Sequence, residues 1–270
     1  EAGERAARYL GRTTLEFDAV REPQLAGSYY LATASYALWR GDVADAARAV
    51  ERGWAAVRET EEWVLAARMA AMVARVDAAI GAEAHDQRRL APLATARGRT
   101  AEVVRTVASL VRASGAPPTA GSRRIAEAYL ATARGFQRRL EGDDDPAIWD
   151  RVATSWADLS APYDVAMARW RQAEASLAAA TGRPGRADAQ TPMLEAARLA
   201  VGLGARPLLR ELRELAGRAR ITLPAEVDLI LEDRPDPSAA GIPVGPAGAD
   251  QAASVSGRSD LVRAVAGEPT

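Results

Sequence analysis

The chain has 270 residues, 48% of them hydrophobic and 26% charged, with a formal net charge of −1; this balance describes a soluble globular protein with material for a sizeable core in one large or two ordinary domains. It has no Cys, a single His, and 35 basic residues that are all Arg, which removes thiol catalysis, Cys-based zinc sites, disulfides, Lys Schiff bases and the Lys-dependent phosphate loop. Near-neutral charge argues against a general electrostatic grip on nucleic acid, and neither a membrane-length apolar run nor a signal segment is visible. The start at Glu1 without Met reads as a fragment or processed piece.

Alanine makes up about a quarter of the residues, which favours close-packed helices over strands. ERAARYL near the start suggests a helix, whereas TTLEFDAV after it is ambiguous. From Pro23 onward Leu25, Tyr29, Ala32, Tyr36 and Trp39 follow helical steps and predict one apolar face. Gly41-Asp42 ends that helix and caps the next, in which Ala46 and Gly53 leave room for a partner helix beside Trp54. Such a helix pair with small residues seven apart resembles the tetratricopeptide pattern. Thr60, followed by Glu61 and Glu62, reads as the N-cap of a third helix reaching about Ile80. Its stripe of Leu65, Met69, Met72, Val76 and Ile80, with alanines filling much of the rest, predicts a helix packed between two neighbours.

Residues 84–114 predict one long or two shorter helices, with Pro92 and Gly98 as kink sites and Val104, Val107 and Val111 buried. After a Gly/Pro-rich loop, Ser122 reads as the cap of a helix burying Ile125, Tyr129, Ala133, Phe136 and Leu140. Trp149, Trp156, Tyr163 and Trp170 then recur every seven residues, close to two helical turns, around a break at Ser160-Ala161-Pro162. This spacing predicts a helical hairpin in which the stripe of Trp149, Val152, Trp156 and Leu159 buries that of Tyr163, Met167, Trp170 and Leu177. TGRPGRADAQ reads as a loop, Thr191-Pro192 as the start of a helix closed by Gly204, and Leu208, Leu212, Leu215 and Ala219 as the inner face of another. Together these features predict an all-α fold over 1–233: seven to ten antiparallel helices in a tetratricopeptide-like α-solenoid. The Pro, Gly, Ala and Ser of residues 234–270 predict a disordered, flexible linker.

Few residues invite chemistry. Asp143, Asp144, Asp145 and Asp150 form the one dense acidic cluster, but consecutive aspartates lack the alternate spacing of a calcium loop, and Asp145 before Pro146 suits an N-cap. His85 stands without a second His or any Cys and reads as a surface or capping residue. The six Trp could line a ligand groove, yet helical spacing favours a core role. Arg88, Arg89, Arg97, Arg99, Arg105 and Arg112 make one region basic and read as solvated faces and ion pairs. No catalytic, cofactor-binding or metal-binding residue is expected, and neither is an enzymatic activity.

WADLSAPYDVAMARWRQAEASLA (156–178) and LGARPLLRELRELAGRARI (203–221) resemble the C-terminal helical region of large ATP-binding LuxR-type transcriptional regulators. Trp156, Pro162, Tyr163, Asp164, Arg171, Ala173, Glu174, Ala175 and Leu177 stand at that region's motif positions, followed by Leu203, Gly204, Ala205, Pro207 and Leu208. ALWRGDVADAARAV and ETEEWVLAARMAAMVARVDAA look similar too, so the resemblance spans most of 23–221. It implies a cytoplasmic regulatory arm, lying between an ATPase module and a DNA-binding helix-turn-helix, that relays binding of an effector protein or small molecule. Nucleotide- and DNA-binding residues are not carried over, because the chain has no phosphate-loop Lys and shows no helix-turn-helix pattern. The other expectation is a stand-alone helical repeat module that binds a partner protein or peptide.

Overall fold

Prolines and acidic or glycine turns punctuate the chain into ten helices among the residues that the computed structural model describes, 22–113, 120–180 and 183–232. These are α1 (Pro23–Trp39), α2 (Val43–Val57), α3 (Trp63–Asp86), α4 (Leu90–Ala113), α5 (Ala120–Glu141), α6 (Pro146–Ala157), α7 (Pro162–Ala179), α8 (Arg183–Gly202), α9 (Arg206–Ala219) and α10 (Glu226–Glu232). All belong to one unit, Glu1–Asp233, and among the described residues there is no strand. The expectations for the ERAARYL segment and for the linker over 234–270 lie outside the described residues.

Helix starts follow local chemistry. Proline opens α1, α6 and α7, where its missing N–H is no loss. Asp42 accepts the Asp45 N–H at 2.9 Å and caps α2, while Asp145 accepts the Ala147 N–H at 2.9 Å and caps α6. Gly41 (φ 75°) and Gly204 (φ 60°) take the left-handed conformation that ends α1 and α8.

Successive helices pack as antiparallel pairs, and α3 also lies along α5, skipping α4. The core of α1–α7 runs through Tyr30, Val50, Met69, Val76, Val107, Phe136, Trp149 and Trp156. A second cluster, through Trp170, Met193, Leu208, Leu209 and Leu212, joins α7 to α10. Helix α7 serves both, placing Val165 and Ala168 in the first and Ala166, Trp170 and Ala173 in the second. Small residues set the close approaches, as expected at Gly53: a Cβ there would lie 2.9 Å from Tyr30 Cβ and collide with the Met69 side chain. A buried carboxylate, Asp77, pins α3 to α4. Arg99 Nε donates to its oxygens at 3.1 and 3.2 Å, and Thr100 Oγ1 donates at 2.7 Å.

Several expectations change in three dimensions. On α1 the buried face is Ala26, Gly27, Tyr30, Leu31, Ala34 and Ala37, while Leu25 is 53% exposed. Small residues win this face because α2 and α3 approach it closely. Thr60 does not cap α3; its hydroxyl donates to Val57 O at 2.8 Å, finishing α2, and α3 starts at Trp63. Residues 84–86 extend α3, so α4 is one helix with Pro92 in its first turn, where proline breaks no hydrogen bond. Ser122 lies inside α5. Helix α8 begins at Arg183 and carries Pro192 within it, so residues 183–190 of the expected loop are helical.

The aromatic stripes of α6 and α7 do not close on each other. Trp149 and Trp156 turn to α5, meeting Phe136 and Tyr129 edge to face at 5.0 and 4.7 Å, while Trp170 stacks on Trp39 of α1 at 6.3 Å. Tyr163 remains 38% exposed. Heptad spacing sets a common face on each helix, but α6 and α7 each have several neighbours to cover.

Candidate functional site

A side of α1 carrying Ser28, Leu31, Ala32, Ser35 and Trp39 forms one wall of a cavity of about 330 Å³. Its other walls come from α3 (Arg68, Met72, Arg75), α5 (Tyr129, Thr132, Phe136), α6 (Trp149, Val152, Trp156) and α7 (Tyr163, Asp164, Met167, Arg171). Five helices thus meet around one space, of a size that suits a small molecule. A second cavity of about 200 Å³ adjoins it and shares Trp39, Arg75, Phe136 and Arg171.

The tryptophans act in both roles weighed from sequence. Trp149 and Trp156 are core residues on one side and cavity wall on the other, and their N–H groups are fixed: Trp149 Nε1 donates to Asp144 Oδ1 at 2.8 Å and Trp156 Nε1 to Thr132 Oγ1 at 3.0 Å. Trp54 and Trp63 pack beside the first core away from the cavity.

Polar groups are unevenly matched. Arg75 Cζ sits 4.8 Å from the Trp39 ring centroid, and no hydrogen bond or ion pair among the described residues reaches its guanidinium. Burial, with the nearby Arg171 charge, pushes Arg75 down to about 10, so it remains a cation at neutral pH. Arg171 Cζ lies 3.8 Å from the Trp170 ring centroid and 5.6 Å from that of Phe136. Its Nη1 pairs with Glu174, whose carboxylate also takes Arg139 at 3.1 Å, but its Nε is buried without a partner. Burial raises Asp164, against the pull of Arg68, and raises the Tyr129 and Tyr163 hydroxyls.

The other sequence candidates are occupied or solvated. Asp143 pairs with Arg138, Asp144 accepts Arg139 Nη1 at 2.9 Å, Asp145 caps α6, and Asp150 pairs with Arg169. Among the described residues no group of His, Cys, Asp or Glu is placed to hold a metal ion. His85 is exposed in the last turn of α3. Arg88, Arg89, Arg105 and Arg112 are exposed, Arg97 reaches Leu140 O at 2.9 Å, and Arg99 pairs with Asp77. Sequence reasoning missed Arg68 and Arg75, because a lone Arg within an alanine-rich helix gives no sign of which face meets a cavity, and it read Met72 only as part of a packed stripe. Among the described residues no helix is long and apolar enough to cross a membrane. No protein-family model, curated protein or solved structure matches the chain.

Proposed function

We propose that this chain is the sensor arm of a LuxR-type ATP-binding transcriptional regulator, taking an effector in the five-helix cavity and relaying its presence to a DNA-binding domain outside the chain. One observation carries the reading: of the residues that bear the resemblance, Trp156, Tyr163, Asp164 and Arg171 all line this cavity, and Glu174 lines its neighbour. A ligand held there touches α1 and α3 on one side and α5–α7 on the other. It therefore favours whichever spacing of those helices fits it, and a packed helical stack passes such a shift to its ends. The role places the protein in the cytoplasm and leaves DNA contact to another domain.

The test is the coding sequence on both sides of this segment, together with the protein it encodes. An ATPase module with a phosphate loop is expected ahead and a helix-turn-helix behind. In that protein Ala32→Trp, which puts an indole into the cavity, should abolish the effector response and spare DNA binding. If neither module is encoded, the regulator reading fails, and a free-standing helical repeat module that binds a partner protein or peptide replaces it.

A further inference from the structure

An aromatic-lined cavity can select a cation, a neutral molecule or an anion, and the charges on its wall decide which. A cationic ligand would gain from the aromatic faces, but Arg68, Arg75 and Arg171 all lie on the wall against a single acid, Asp164. A neutral ligand would strip water from Arg75 and offer its five N–H donors no charge in return. Across the two joined cavities the walls carry four arginines and three acids, Asp164, Glu174 and Glu211, and Asp144 behind them pairs with Arg139. The cations left short of partners are Arg75 and Arg171, and two observations put an anion at their junction. Arg75 has no hydrogen-bond or ion-pair partner among the described residues, and the Nε of Arg171 is buried and unmatched. The planar guanidinium fork matches the geometry of a carboxylate. Away from this junction Tyr129, Trp156, Val152 and Met167 give the wall an apolar and aromatic stretch, with Arg68 and Asp164 as its charged members.

We propose that the cavity binds a small organic monocarboxylate, its carboxylate at the Arg75–Arg171 junction beside Trp39 and its aromatic or aliphatic body against Tyr129, Trp156 and Met167. This assignment rests on the reading of the cavity as an effector site and names the chemical class of the effector. Glu211 lines the second cavity together with Arg75 and forms no ion pair with it.

Isothermal calorimetry on the whole chain tests the assignment with 2-naphthoate, indole-3-acetate and octanoate, each beside its uncharged primary amide. At least one acid should bind about tenfold or more tightly than its amide, the ratio expected of a charge-assisted contact. Arg75→Gln should bring that acid down to the affinity of its amide, Arg75→Lys should retain part of the preference, and the exposed Arg105→Gln should change nothing. Circular dichroism checks that the variants keep their helices, and should Arg75→Gln fail to fold, the acid-to-amide ratio of the unaltered chain decides by itself. Equal binding of acid and amide overturns the carboxylate assignment and leaves a ligand-binding cavity. Absence of binding by all three acids overturns it as well, and the regulator reading then depends on the flanking domains alone.

Discussion

Trp156 meets Tyr129 edge to face at 4.7 Å and donates its indole N–H to Thr132 Oγ1, which in turn donates to Ala128 O at 2.9 Å. One side chain thus ties α6 to one turn of α5. Trp156→Ala should cost on the order of 3–5 kcal/mol, because it empties a core position and leaves the Thr132 oxygen unfilled. Asp164→Ala, at a carboxyl that burial already disfavours, should cost less than about 1 kcal/mol. Urea titrations of both variants check the contrast, and equal losses would rule out the Trp156 anchor.

Asp77 is buried, and burial raises its carboxyl above the ordinary value, while the Arg99 guanidinium and the Thr100 hydroxyl offset part of that rise. A carboxyl raised in the fold contributes stability that is complete below its unfolded value and lost as pH rises through the folded one. Arg99→Ala removes the main offset, so the variant should lose about 3 kcal/mol at neutral pH and much less near pH 4. Urea midpoints at the two pH values measure this, and a gap that does not grow with pH would show that Arg99 does not compensate Asp77.

Glu174 behaves oppositely. Burial alone would raise it, but Arg171 and Arg139 outweigh burial and hold it below the ordinary 4.5. Stability from a lowered carboxyl is present above the unfolded value and lost as pH falls through the folded one. The melting temperature should therefore drop on acidification below about pH 4.5, and Glu174→Gln, less stable at neutral pH, should converge with the unaltered protein in acid. A constant difference across the titration would contradict the Arg139–Glu174–Arg171 cluster.

Two glycines within helices should respond in opposite directions to the same change. At Gly53 a Cβ meets Tyr30 Cβ at 2.9 Å and the Met69 side chain, so Gly53→Ala should destabilise by about 1–3 kcal/mol. Gly98 has nothing within 4 Å of its would-be Cβ, and Gly98→Ala should stabilise by about 0.5–1 kcal/mol through reduced backbone entropy. Thermal melts of the two variants suffice to compare them.

With no Lys for a phosphate loop and no recognition helix apparent in its pattern, the chain should bind neither ATP nor a specific duplex DNA site. Micromolar nucleotide binding by calorimetry, or a retarded DNA band that resists added salt, would contradict this.

Local chemistry was legible from the residues alone. The helical state, the Asp42 and Asp145 caps, the break before Pro162 and the turn at Gly204 each depend on residues a few positions apart, and all stand in the structure. Burial of Val104, Val107 and Val111 likewise followed from a single stripe. Where one helix had two plausible faces, spacing could not choose. On α1 the larger side chains suggested the core face, yet Ala26, Gly27 and Ala34 hold it, because the distance to α2 and α3 decides how much volume fits. Pro192 was read as a start and stands inside α8.

The cavity was decided by tertiary structure alone. Trp156, Tyr163 and Arg171 drew notice for their spacing or their resemblance, but nothing near them in sequence announces Arg75 or Trp39 as companions. Periodicity records which side of a helix is apolar; it does not record which helix stands opposite or how far away. That distance settles whether two facing stripes interlock as core or part to leave a space. At Arg75 it also settles whether an arginine pairs with an acid or lies against Trp39.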